Sequence, residues 1–275
     1  MKFQLSPRLG RAAVARAAVA VGAAGLLAVG SFSSVYAADP TAATNSTTAA
    51  AVHRFCIPEW AAAKAHPGVD TLRAVGDCEI NRRFVTLDGL TYLVNHSDAL
   101  TAAHKIDLRD VNSVNPASFA AERTGLAQLK ATIDSDTTVA ALRLDVAKIA
   151  PDYRVYLLVV PKTHLVNAAD ATEKASARFG PLASELQNLI NQAKAGGKDV
   201  TAAQAKLDDM IAKVAQANGL IAPVAGSILP LSPAGWNNGT AGPILKAARQ
   251  TIHQTRTLLV GARQDAHQVI VLLGS

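Results

Sequence analysis

The sequence predicts an all-α protein, folded as an elongated antiparallel bundle of helical hairpins, and two observations carry this prediction. Apolar residues recur every three to four positions through most of the chain, which is the period of a helix buried on one side. Aromatic residues make up only 4% of the sequence, so alanine, leucine, valine and isoleucine must build the core. Such side chains favour thin seams between helices over one deep globular core.

The N-terminus has the pattern of a secretory signal peptide over residues 1–37. A basic front precedes an apolar run from about Ala17 to Val29, and small residues then lead to the sequence SVYAAD. This pattern predicts cleavage between Ala37 and Ala38, with an uncleaved N-terminal anchor as the alternative. The apolar run is shorter than the roughly 20 residues of a membrane span, so we expect no stable span after cleavage.

Most of the excess positive charge of the chain lies in residues 1–37. The chain has 27 basic and 21 acidic residues, and residues 1–37 contain four of the basic ones and none of the acidic ones. The remainder therefore has 23 basic and 21 acidic residues, a net charge of +2. Because nucleic-acid binding requires a basic face, we expect no nucleic-acid partner.

Residues 38–52 are rich in alanine and threonine and are predicted to be a flexible tether, while residues 53–275 form the helical domain.

The helical domain contains two cysteines. Cys56 and Cys78 are the only cysteines, and an oxidising compartment predicts a disulfide bond between them. A metal pair or a redox thiol is the alternative, but the spacing is not C-x-x-C.

A first hairpin is predicted over residues 69–150. Thr101 is a good N-terminal cap, and the Asn115-Pro116 pair interrupts the helical pattern because the residue before a proline avoids helical geometry. The apolar spacing places helices at about Val69–Asn95, Thr101–Val114, Phe119–Ile133 and Val139–Ile149.

A second hairpin is predicted over residues 161–275. Its first helix begins at Pro161, where a missing N–H costs nothing, and extends to Lys194 with a kink at Gly180-Pro181. A glycine turn leads to a helix that weakens at Gly219, and a loop rich in glycine, asparagine and proline follows.

The final helix, Leu245–Leu273, has the spacing of a shallow coiled-coil seam. Arg249, Arg256 and Arg263 recur every seven residues beside that seam. We interpret them as packing and ion-pairing side chains, and a stripe for an anionic ligand is the alternative.

Only the sequence PDYRVYLLVVPKTHLV, residues 151–166, has the alternating pattern of a strand. No second strand exists to pair with it, so we predict an extended or irregular crossover near residues 152–160, with a kinked helix as the alternative. Tyr153, Tyr156 and Leu157 are expected to pack centrally between the two hairpins.

Several segments resemble a group of uncharacterised, exported, helical proteins of actinobacteria. The resemblance covers residues 76–270, and its most specific parts are Lys130–Thr137, Asp152–Asp170 and Lys194–Val200. It implies an exported helical protein, and because the group has no established activity it implies no site residues.

No pattern indicates catalytic, cofactor-binding or metal-binding residues. The seven histidines are scattered, and H-E-x-x-H, G-x-S-x-G and phosphate-binding glycine patterns are missing. Trp236, Asn237 and Asn238 form a candidate recognition loop, in which the indole either stacks on a sugar or covers a helix end.

These observations predict a secreted or envelope-associated structural or interaction protein that is not an enzyme. Its expected partner is an envelope or extracellular protein, with a cell-wall polymer as the other candidate. The alternative function is a carbohydrate- or lipid-binding module that uses the Trp236 loop or a groove between helices.

Overall fold

A computed structural model describes residues 56–274, and every regular element in that range is helical, which confirms the all-α prediction. The predicted signal peptide, its cleavage site at Ala37–Ala38 and the tether up to residue 52 lie outside the described residues. The antiparallel pairing of hairpins stays a prediction. The longer α-helices are α1 Ile57–Ala65, α2 Val69–His96, α3 Ala102–Arg109, α4 Phe119–Ser135, α5 Val139–Lys148, α6 Val160–Ala177, α7 Phe179–Ala195, α8 Thr201–Ile221 and α11 Ala241–Gly274, and the two short ones are α9 Val224–Ile228 and α10 Pro233–Asn237.

Hydroxyl side chains cap three helices of the first half. Thr101, as predicted, accepts a hydrogen bond from the His104 amide, and Ser118 and Thr138 cap α4 and α5 in the same way. Helix α3 ends at Arg109, five residues before the predicted end. The reason is that the Asn112 side chain accepts from two later backbone amides and thereby forms a turn.

The strand-like stretch is helical. Val155–Val159 form a π-helical turn, in which the Val160 amide donates to the Val155 carbonyl, and α6 follows without a gap. Arg154 precedes the turn with φ 44°, a left-handed conformation that is uncommon for a residue with a side chain. The expected extended crossover is therefore wrong, and the alternative of a kinked helix is closer to the structure.

The second half follows the predicted order with one adjustment. The predicted kink becomes a break at Arg178, between α6 and α7. The glycine turn after α7 is a Schellman motif: Gly197 has φ 82°, and the Lys198 amide donates to the Ala193 carbonyl at 3.1 Å. Only glycine adopts this φ without strain, which explains the glycine at position 197.

Two separate clusters of buried apolar side chains stabilise these helices. The first lies among α1–α6, the π-turn, α9 and the first part of α11. The second lies among α7, α8 and the later part of α11, from Leu259 to Val269. The described residues belong to one compact unit, Ala50–Ser275. None of the described helices combines the length and the apolar character that crossing a membrane requires.

Candidate functional site

The predicted disulfide bond between Cys56 and Cys78 is present and joins the start of α1 to α2. Beside it, the indole nitrogen of Trp60 donates to Glu79 Oε1 at 3.3 Å. Glu79 also accepts from Arg83 at 2.7 Å through its other carboxylate oxygen. Helix α1, which was not predicted, is thus held to α2 by a covalent bond and by a polar chain that starts at its exposed tryptophan.

Tyr156 of the π-turn continues this chain. The guanidinium carbons of Arg82 and Arg83 each lie 5.2 Å from the centroid of the Tyr156 ring, a cation–π distance. The apolar side chains around these arginines remain exposed, with 48% for Trp60 and 36% for Tyr156. We define the Trp60–Tyr156 surface as the exposed side chains of Ile57, Trp60, Tyr156 and Leu157.

Of the three residues predicted to pack centrally, only Tyr153 contacts the core. Its ring lies so close to α4 that a Cβ at Gly125 would be 2.5 Å from it. Tyr156 and Leu157 are exposed instead, so this part of the prediction is wrong. A π-turn adds one residue to the helical repeat and changes which side chains face inward. The buried ones are Val155, Leu158 and Val159.

Lys162, in the first turn of α6, is completely buried. Its ammonium group donates to Asn115 Oδ1 at 2.7 Å and to the carbonyl oxygens of Leu229 at 3.1 Å and Leu231 at 2.5 Å. Burial lowers the pKa of Lys162 to about 7, partly opposed by the charge of Glu122. Three acceptors match the three donors of an ammonium group, so this side chain joins three segments of the fold.

Glu122 of α4 is the acidic counterpart of Lys162. Its side chain is 4% exposed, and Oε2 has no hydrogen-bond partner in the described part of the chain. Burial raises the pKa of Glu122 to about 8, partly opposed by the charge of Lys162. A carboxyl group with this pKa is mostly protonated at neutral pH, which avoids the cost of a buried anion.

Glu122→Gln should change the pH dependence of stability. The pKa of Glu122 is about 8 in the folded protein and about 4.5 in the unfolded chain. Between these two pH values the unfolded chain has released its proton while the folded protein still holds it. The folded protein therefore loses stability as pH rises through this range. The variant lacks this loss, so its free energy of unfolding should exceed that of the wild type by roughly 1–3 kcal/mol at pH 8 and by much less at pH 5. Urea denaturation at several pH values measures the difference, and parallel curves would contradict the assignment.

A second buried carboxylate, Asp170 of α6, holds the start of α3. It accepts from the Thr101 amide at 2.8 Å and contacts His104 Nδ1 at 2.8 Å. The hydrogen bond to Asp170 raises the pKa of His104. The negative charges of Asp107 and Glu173 raise this pKa further, and burial acts in the opposite direction.

A carboxylate–imidazole pair of this kind can orient a general base, but Ser97, which follows α2 and contacts Asn167 one turn before Asp170, is already engaged. Ser97 Oγ donates to Asn167 at 2.5 Å and accepts from the Ala99 and Leu100 amides. We therefore assign the Asp170–His104 pair to the attachment of α3.

The loop around Trp236 has a structural role in the first core. Trp236 lies in α10, and its side chain packs against the first core. Asn237 accepts from Arg154 Nε at 2.6 Å and donates to the Pro151 carbonyl at 2.9 Å. Asn238 accepts from the Thr240 amide and hydroxyl. The two contacts of Asn237 hold the turn at Arg154 and engage both polar atoms of its side chain.

One group among the described residues has a spacing that suits a metal ion, and it consists of Cys56, Glu59 and Cys78. Both sulfur atoms are joined in the disulfide bond, so neither is a thiolate ligand in this state.

The sequence matches no family model, and no curated protein or solved structure is significantly similar to it. The resemblance to exported helical proteins of actinobacteria therefore stays a prediction.

Proposed function

We propose that this protein is exported and acts as a structural or interaction protein at the cell envelope or outside the cell, without catalytic activity. The Trp60–Tyr156 surface carries this proposal. Tryptophan, tyrosine and arginine are enriched among the residues that dominate the binding energy of protein interfaces, and the two aromatic types bury a large area at a low cost in conformational entropy. This surface presents the two aromatic types around a pair of arginines.

The same surface is rigid before any partner binds. The disulfide bond fixes α1, Glu79 holds both the Trp60 indole and Arg83, and the two arginines hold the Tyr156 ring. Preorganised side chains lose less entropy on binding, which favours association. The disulfide bond also supports an oxidising location and hence export.

The polar groups with the most unusual environments are engaged inside the fold. Lys162 has three acceptors, and Asp170 holds a backbone amide and an imidazole. Their contacts account for these residues without a substrate. This supports the proposal of an interaction protein over an enzyme.

The test is site-specific photo-crosslinking in the native envelope. A crosslinking residue placed at Ile57 or Leu157 should capture one protein, identified by mass spectrometry, and the Trp60→Ala and Tyr156→Ala changes should each weaken that capture about tenfold or more. Ile211 of α8 is the matched control position, since it is 46% exposed and belongs to a helix that packs mainly against α6, α7 and α11. Equal capture from Ile211, or capture that is unaffected by both substitutions, would refute the proposal.

The alternative, a carbohydrate-binding module built on Trp236, is less well supported. The indole packs on the first core, and the neighbouring Asn237 holds the turn at Pro151–Arg154. A cell-wall polymer stays a candidate partner only through another surface.

A further inference from the structure

The charges of the last third of the chain are distributed unevenly. No aspartate or glutamate occurs in residues 210–264, which contain five basic residues. The only acidic residue of α11 is Asp265, which is 5% exposed and forms ion pairs with Lys206 and Lys213 of α8. The outward side of α11 therefore carries no negative side chain.

Side chains on this outward side follow one line along the helix. Each is exposed and lies three, four or seven residues from the next, so all project from the same face of α11. At 1.5 Å per residue the line is about 38 Å long. We define the α11 outer face as Lys246, Arg249, His253, Val260, Gln264, His267 and Val271.

Internal ion pairs do not account for the basic residues of this face. Within the described residues, neither Lys246 nor Arg249 forms an ion pair, and the same holds for Arg263 at the edge of the face. The interpretation that the arginines serve ion pairing within the protein is thus not supported for Arg249 and Arg263. Their charge is available to an external anion.

The same face also exposes aliphatic side chains. Val260 and Val271 lie on the line itself and are 49% and 55% exposed, and Ile270 and Leu272 flank its end at 42% and 39%. A soluble polyanion would leave these side chains in water. The interface of a bilayer with anionic lipids accommodates both features, since headgroups attract the basic residues and the acyl boundary takes the aliphatic ones.

We infer that the α11 outer face docks the protein on the surface of a membrane that contains anionic lipids. Helix α11 then lies parallel to the membrane, consistent with the absence of a spanning helix among residues 56–274. This inference is independent of the Trp60–Tyr156 surface, which lies on other helices.

The test is co-sedimentation of the protein, in the form recovered from its native cells, with phosphatidylcholine vesicles that contain phosphatidylglycerol. Each basic residue near an anionic surface contributes about 1 kcal/mol, or about fivefold in binding. The Lys246→Gln/Arg249→Gln double variant should therefore bind at least tenfold more weakly. The Val260→Ser/Val271→Ser double variant should also lose binding, by roughly fivefold or more. Circular dichroism verifies that each variant is folded.

The matched control is Arg143→Gln/Leu144→Ser on α5, which removes an exposed arginine and an aliphatic side chain that is 69% exposed. This variant should bind like the wild type. Equal binding to vesicles of phosphatidylcholine alone, or an equal loss in the control variant, would overturn the inference. Loss with the charge variant and unchanged binding with the valine variant would also overturn it, in favour of a soluble polyanion.

Discussion

Replacing Lys162 with methionine should lower the free energy of unfolding by about 3–5 kcal/mol, because removal of one partner from a buried polar cluster leaves the others unsatisfied. Three oxygen atoms would lose their donor, namely Asn115 Oδ1 and the carbonyl oxygens of Leu229 and Leu231. Glu122 would lose the only positive charge found to lower its pKa. Chemical denaturation measures the loss directly.

Lys174→Met is the matched control, since it makes the same substitution on the same helix. Lys174 is exposed and donates to a single carbonyl oxygen, that of Asp98, so the change should cost less than about 1 kcal/mol. If Lys162→Met were as stable as the wild type, the cost of burying the ammonium group would equal the gain from its hydrogen bonds. Lys162 would then not stabilise the junction of the three segments.

Removal of the disulfide bond by Cys56→Ser with Cys78→Ser should have the second large effect. The bond closes a loop with a sequence separation of 22 residues, for which chain entropy gives a loss of roughly 3 kcal/mol. Helix α1 has few contacts besides α2 and buries only Ala63, so little else retains it. Thermal denaturation should show a lower midpoint for the double variant than for the wild type.

This variant also separates stability from function. Release of α1 should move Trp60 away from Glu79, so crosslinking from Leu157 should weaken even at temperatures where the double variant remains folded. An unchanged thermal midpoint would show that the loop is already ordered without the covalent bond. Unchanged crosslinking would show that the partner does not need Trp60 in its present position.

The helical pattern was sufficient to predict most of the fold. Leu72, Val75, Ile80 and Leu87 are buried on one side of α2, as their spacing requires, and most of the apolar positions predicted along α11 are buried as well. The cysteine pair predicted the disulfide bond, because only one pairing exists. These features depend on local spacing and composition, which a sequence displays directly.

The features that the sequence did not reveal depend on contacts between distant segments. Tyr156 sits in a π-turn, and a single extra residue per turn removes the regular period by which its orientation could be inferred. Lys162 has an ordinary sequence context, yet two of its three acceptors are backbone carbonyls 67 and 69 residues away. Backbone acceptors have no residue-type signature, so no motif marks this site. Trp60 lies on α1, a helix that the sequence pattern did not predict, and its side chain is half exposed.

Helix α11 has a consequence for how the protein unfolds. It contributes Leu245 and Ile252 to the first buried cluster and Leu259 and Val269 to the second. Because helix formation is cooperative, loss of order in one half of a continuous helix frays the adjoining turns of the other half. We therefore expect the two clusters to unfold together, so that a destabilising change in either raises the rate at which amide protons exchange in both.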